Sequence, residues 1–262
     1  MFISFFLYSY NMVVQAYISR HGQSVHNENN VGDLIIGGRN LDTPLSRVGI
    51  EKVVLQGLYF QREKIKFDLI LRSPARRTIE HSIIIADMTN YSGLIIDDRD
   101  FLEVDNGSAE GKIKVEILGS KQDERYMAYY FDPYVRLAED AESYAQCASR
   151  GYSSLERHAR GISDGVVYLA GHQKNVWGAI QLALKQKLSP AEARFMENAA
   201  FSRLKLTPDG WSTENEFRYC RAELLHQDNP LERQDVREIV EKYKNRFKNL
   251  IYSKTEMVFA ES

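Results

Sequence analysis

The sequence predicts an α/β protein of three layers, in which a mostly parallel central sheet is covered by helices on both faces. Short apolar runs of strand character alternate with amphipathic helical stripes along the chain, as expected of parallel strands joined by helical crossovers. No internal repeat, low-complexity stretch or linker rich in Gly, Ser or Pro interrupts that alternation. With 262 residues, 44% of them hydrophobic and 27% charged, the chain is long and apolar enough for a packed core. We read residues 1–262 as a single domain. It carries an N-terminal extension over 1–11, a cap over about 104–135 and a C-terminal helical extension over 228–262.

The elements follow in order. Residues 1–11 are apolar and aromatic, and no Lys or Arg precedes Arg20. A secretory signal starts basic and ends at a small-residue cleavage site. Neither is present, and the run is too short to span a bilayer. We expect a packed or disordered tail, with Met12 as a second plausible start. Residues 14–19 read as a strand. Residues 46–63 carry Val48, Val54, Leu55, Leu58 and Tyr59 on a helical stripe. Residues 68–71 form a short buried strand, 76–88 a helix and 94–96 another short strand. The stretch 104–135 is expected to be irregular. Residues 140–162 are mostly helical, 166–170 make an apolar strand and 175–187 a helix. Ser189-Pro190-Ala191-Glu192 has the form of a capping box with proline at the first helical position. Residues 201–206 and 211–219 flank Thr207-Pro208-Asp209-Gly210 and predict a hairpin. Residues 230–250 form a last amphipathic helix, with a stripe suited to packing. Trp177 and Trp211 read as core.

Formal net charge is −2. That excludes a global basic field for nucleic acid or an anionic membrane, so an anionic ligand needs a local cluster of cations. Cys147 and Cys220, the only cysteines, lack metal-type spacing and fit a reduced, cytoplasmic setting.

In a parallel sheet, ligands bind at the carboxyl ends of the strands. Three strand ends carry the polar chemistry. One runs into Arg20-His21-Gly22-Gln23-Ser24, a second into Arg72-Ser73-Pro74-Ala75-Arg76-Arg77, and a third into Gly171-His172-Gln173. Together they offer one pocket two histidines and several arginines. Arginine forks match the spacing of phosphate oxygens. Neutral imidazole is a nucleophile near neutral pH and a good leaving group once phosphorylated. Phosphoryl transfer suits that combination. His26 is close enough to line such a pocket, whereas His81, His158 and His226 read as structural or surface.

The first run resembles the RHG signature of the histidine phosphatase, or phosphoglycerate mutase-like, superfamily. Asn27 falls where that family often places a phosphate-contacting asparagine. Asp42-Thr43-Pro44-Leu45-Ser46-Arg47-Val48-Gly49 resembles its D-x-P-L-T/S-x-x-G segment. Ser73-Pro74-Ala75-Arg76-Arg77 resembles S-P-L-x-R and aligns Arg77 with the second phosphate arginine. Glu103, with Gly107 and Gly111, resembles the segment that carries the proton donor. Ala141-Glu142-Ser143 resembles G-E-S, and Leu169-Ala170-Gly171-His172 sits where V-S-H-G is expected. The matches run in family order from about residue 14 to 220. Gln173 replaces a family glycine, and the A-x-Q-T that usually follows the arginine is absent.

The resemblance implies a phosphatase of small phosphorylated metabolites or phosphoproteins that needs no cofactor or metal. His21 is the nucleophile. Arg20, Arg77 and His172, with Asn27 assisting, hold the non-bridging oxygens, and Glu103 serves as acid, then base. Ser24, Gln23, Gln173 and Arg39 complete the substrate-binding set. Glu103 also lies among Asp97, Asp98, Asp100 and Asp105, which could form a merely solvated acidic loop. Two alternatives are a cofactor-dependent phosphoglycerate mutase and a catalytically weak phosphate-binding scaffold. In the mutases an R-H-Y run usually follows the acid. Here Val104-Asp105-Asn106 follows Glu103 and would repel a diphosphoglycerate.

Overall fold

The run at 14–19 forms strand β1, Val13–Arg20, and the run at 166–170 forms its parallel neighbour β4, Asp164–Gly171. The computed structural model describes residues 13–28, 34–213 and 233–248. Expectations for 1–11, 214–232 and 249–262, including Cys220 and His226, lie outside the described residues. β2, Leu69–Arg72, pairs with β4 on its other side, and β3, Ile95–Asp97, pairs with β2, both in parallel. β5, Phe201–Thr207, runs antiparallel beside β1, and β6, Gly210–Thr213, closes the expected hairpin. The six-strand order is β3-β2-β4-β1-β5-β6.

Burial alternates along the central strands, so the sheet has a core on each face. Val14, Ala16, Ile18, Val167 and Leu169 face one side. There they meet helices α6, Tyr144–Arg160, and α7, Gln173–Ala183. Tyr17, Ile70, Tyr168 and Ala170 face the other side. That side is covered by α2, Arg47–Arg62, and α3, Arg76–Met88. Helix α9, Arg233–Lys248, from the C-terminal extension, packs Val240, Tyr243 and Phe247 into this second core. Trp177 is buried in the first core and Trp211 packs against it.

The cap is more regular than expected. The stretch 104–135 holds a 3-10 turn at Gly107–Ala109 and two short helices, Lys114–Leu118 and Glu124–Phe131. Its small apolar core contains Ile36, Leu118 and Leu137, with Tyr126, Tyr129 and Tyr130 packed against it. The proposed capping box at Ser189 does not form. Pro190 opens a four-residue helix, Pro190–Ala193, but the Ser189 side chain makes no cap bond. Gln181 takes both groups instead: its Oε1 accepts from the Ser189 N–H at 3.2 Å and its Nε2 donates to Glu192 at 3.2 Å. The capping box lies at α6. Ser143 Oγ accepts from the Gln146 N–H at 3.3 Å, and Gln146 Oε1 accepts from the Ser143 N–H at 2.9 Å. That cap starts the helix at Tyr144 rather than 140. The helix expected over 175–187 starts earlier, at Gln173, and ends at Ala183, just before Lys185 adopts a φ of 55°.

Candidate active site

Parallel register assembles the site. Arg20 lies opposite Gly171 and Arg72 opposite Ala170. The next residues, His21, His172 and Ser73, therefore leave three adjacent strands at one edge. The His21 and His172 rings are 5.2 Å apart, centroid to centroid.

His21 is buried, and its Nδ1 is 2.6 Å from the Gly22 carbonyl. A carbonyl can only accept, so Nδ1 carries the proton. Nε2 keeps its lone pair and accepts from Arg77 Nε at 3.3 Å. Burial, then the charges of Arg77 and Arg20, hold the imidazole pKa well below its ordinary range, so the ring is neutral at pH 7. Gly22 is required by close approach. A Cβ there would lie 2.5 Å from the Gly49 carbonyl, and one on Gly49 would lie 1.9 Å from the Gln23 carbonyl. The His21–Gly22 turn thus rests on the first turn of α2. His81 supports it from below, accepting the Gly22 N–H at Nδ1 (3.2 Å), while its Nε2 meets Tyr168 Oη (2.6 Å) and Gln56 Oε1 (2.8 Å).

Arg77 is buried at the start of α3 and joins both histidines. Its Nη2 is 3.0 Å from His172 Nδ1, and its Nη1 donates to the Asn40 carbonyl at 2.5 Å. The other candidate arginines face elsewhere. Arg72 pairs with Asp97 and Arg76 with Glu80. Arg20 donates from Nη1 to the Met196 carbonyl at 2.5 Å, while its Nε is buried without a hydrogen-bond partner. Burial lowers both guanidinium pKa values to about 10, opposed in each case by the charge of Glu103. Both stay cationic.

These residues form the base of a cavity of about 820 Å³. Arg20, His21, Arg77, Ser24, Asn27 and Gln173 border it. Of the carboxylates Asp97, Asp98, Asp100, Glu103 and Asp105, Glu103 borders it and the four aspartates do not; Glu110 borders it farther along the chain. Asp97 pairs with Arg72, Asp98 bonds Ser154, Arg157 and His158, and Asp105 pairs with Arg39. Glu103 Oε2 accepts from the backbone N–H of Lys174 at 3.3 Å, and Oε1 accepts from the Val104 N–H at 2.9 Å. His26 borders the cavity as well.

Three expected site residues sit one layer out. His172 is fully buried behind Arg77, with Nε2 donating to Ser73 Oγ at 2.8 Å. Gln23 turns to α2, its Oε1 accepting from Ser46 Oγ at 2.9 Å. Arg39 lies over the acidic loop, bonding the Glu103 carbonyl at 3.2 Å and pairing with Asp105 and Glu142.

Sequence reasoning missed Arg150. From α6 it donates to the carbonyls of Asp100 (2.6 Å), Leu102 (2.8 Å) and Glu103 (2.9 Å) and pairs with Glu142. Its partner Glu142 precedes the helix cap, so no helical spacing in the sequence pointed to the pair. Lys174 and Tyr129, which border the cavity, carried no sequence signal.

A family model described as histidine phosphatase superfamily (branch 1) matches residues 16–216. No curated protein matches the chain in sequence. Solved structures share the fold at low identity. A phosphoglycerate mutase from Bacillus anthracis superposes with a TM-score of 0.67 at 17% identity, over 82% of this chain and 97% of that one. A mycobacterial glucosyl-3-phosphoglycerate phosphatase superposes at 0.63 and 20%, over 77% and 97%. A structure titled mycobacterial hydrolase 1 superposes at 0.64 and 20%, over 78% and 97%. Matched over most of its length, the chain belongs to the histidine phosphatase superfamily.

Proposed function

We propose that the protein is a phosphomonoester phosphatase that works without metal, through a phosphohistidine on His21. The observation that carries this reading is the state of His21. A neutral imidazole with its proton on Nδ1 leaves Nε2 as a lone pair among buried cations. A phosphoryl group entering the base of the cavity meets the Arg77 and Arg20 forks, with Asn27 and Ser24 beside them. His21 Nε2 attacks phosphorus and the ester P–O bond breaks. Glu103 gives its proton to the leaving oxygen. It then takes a proton from the water that attacks the phosphohistidine, releasing phosphate and restoring His21. His172 acts through Arg77, whose guanidinium it orients. Arg77 and Arg20 supply the charge that a divalent cation supplies in other phosphoryl-transfer sites and would repel such a cation.

A mutase reading needs a substrate with additional anionic groups beside the acid. Val104, the apolar residue that borders the cavity directly after Glu103, offers such groups no partner and disfavours it. The reading places the protein in a reduced, cytoplasmic setting. Among the described residues no helix is long and apolar enough to cross a membrane.

Glu103→Gln tests the mechanism. An alkoxide leaves poorly without a proton, whereas a nitrophenolate leaves unaided. Alkyl phosphate hydrolysis should fall by roughly 10²–10⁴-fold. Phosphoryl transfer from p-nitrophenyl phosphate should persist, with phosphoenzyme accumulating as a burst. Equal losses on both substrates without a burst would remove Glu103 from this role. Phosphoglycerate interconversion faster than phosphate release, stimulated by diphosphoglycerate, would favour the mutase instead.

A further inference from the structure

We infer that the cavity selects phosphomonoesters whose alcohol carries a bulky apolar or aromatic group, with the cap as the binding wall for that group. This rests on the phosphatase reading and goes beyond it. The cavity has two unlike halves. Its base is the cationic site just described. The cap borders the rest of the space with Ile36, Leu118, Leu137, Tyr129 and Tyr130, together with Glu110; the first three are almost fully buried, so the half-buried Tyr129 and Tyr130 supply the apolar surface a ligand can reach. Tyr129 and Tyr130 pack against the cap's own apolar core, which backs them. Tyr129 and Tyr130 meet edge to face, with ring centroids 5.2 Å apart.

The wall stands on the leaving-group side. Lys174 donates its backbone N–H to the Glu103 carboxylate. Its ammonium hydrogen-bonds the Tyr129 hydroxyl and lies 4.0 Å from the centroid of that ring. A single residue therefore ties the proton donor to the aromatic wall. Whatever oxygen Glu103 protonates, the carbon skeleton attached to it runs toward Tyr129 and Tyr130. At about 820 Å³ the space is that of a drug-sized ligand, much larger than a phosphate on two or three carbons needs. A small polar ester would leave the wall wet and gain nothing from it. An apolar skeleton would remove that surface from water. Lys114 and Arg194 also border the cavity, so a second anion is the rival occupant and enters the test directly.

The experiment compares kcat/KM for 2-phenylethyl phosphate, ethyl phosphate and 3-phosphoglycerate. The first two leave as primary alkoxides of similar basicity, so chemistry is held constant while the apolar group changes. The wild type should prefer the phenylethyl ester over the ethyl ester by about 10- to 100-fold, and over 3-phosphoglycerate as well. Tyr130→Ala and Tyr129→Ala, made separately, should bring the phenylethyl-to-ethyl ratio toward one. Because the wild-type ratio is itself a test, a variant that fails to fold does not remove it. A wild-type ratio near one, or 3-phosphoglycerate as the best ester, would overturn the inference while leaving the phosphatase reading intact. Absence of phosphate release from every ester would overturn both.

Discussion

The protonation state of His21, the proposed nucleophile, follows from one carbonyl. Gly22 offers His21 only an acceptor, which fixes the tautomer, and burial beside Arg77 and Arg20 keeps the second proton off. In the free protein, the His21 ring proton resonances should therefore stay fixed between pH 8 and pH 6. A titration near pH 6.5, the ordinary imidazole value, would contradict the assignment. That His21 would stand at a strand end facing the cavity was legible because the motif residues are contiguous. The layering of His172 and Gln23 was not. Motif spacing reports which residues share a strand end, whereas the direction of each side chain depends on partners far along the chain. His172 is turned by Arg77 and Ser73, and Gln23 by Ser46. Motif spacing likewise did not show that acidic neighbours, Asp97 and Glu80, engage Arg72 and Arg76.

At the scale of elements, strand ends were read well because a buried parallel strand is a short apolar run with clear limits. The loop that carries Glu103 was harder to read. It is held from α6, a helix whose register against the loop is a tertiary fact. Arg150 spends its donors on the carbonyls of Asp100, Leu102 and Glu103 in that loop and on Glu142. Arg150→Met should leave Glu103 present but poorly aimed. Alkyl phosphate kcat should then fall by at least about 10-fold while aryl phosphate is hydrolysed nearly as before, and Arg150→Lys should recover part of the loss. Equal losses on both classes would mean that Arg150 only supports the fold. The false capping box at Ser189 has the same origin. The local pattern was correct, but Gln181, on a neighbouring helix, made better bonds to both of its groups.

At the scale of the whole molecule, three histidines among the described residues are buried and stay neutral: His21, His81 and His172, all with pKa values lowered first of all by desolvation. For His81 the value falls to about 3. The unfolded chain binds a proton on each near pH 6.5, and the folded chain does not. Stability is therefore full above that pH and declines as pH falls toward the folded values, by at most about 1.4 kcal/mol per pH unit for each histidine. Urea midpoints should drop between pH 7 and pH 5, and His81→Gln should make the slope shallower. A flat profile in wild type would contradict neutral burial. His81 read as structural from sequence, and its position under Gly22 makes it the residue through which acid damage reaches the active site. The central claim, a covalent phosphohistidine formed without metal, has one direct test. Protein dialysed against EDTA is mixed with a ³²P-labelled aryl phosphate and quenched within milliseconds. Label should appear on His21 as an acid-labile, base-stable adduct and be absent from His21→Ala. Label on serine or cysteine, or labelling that returns only with added Mg²⁺ or Zn²⁺, would contradict it.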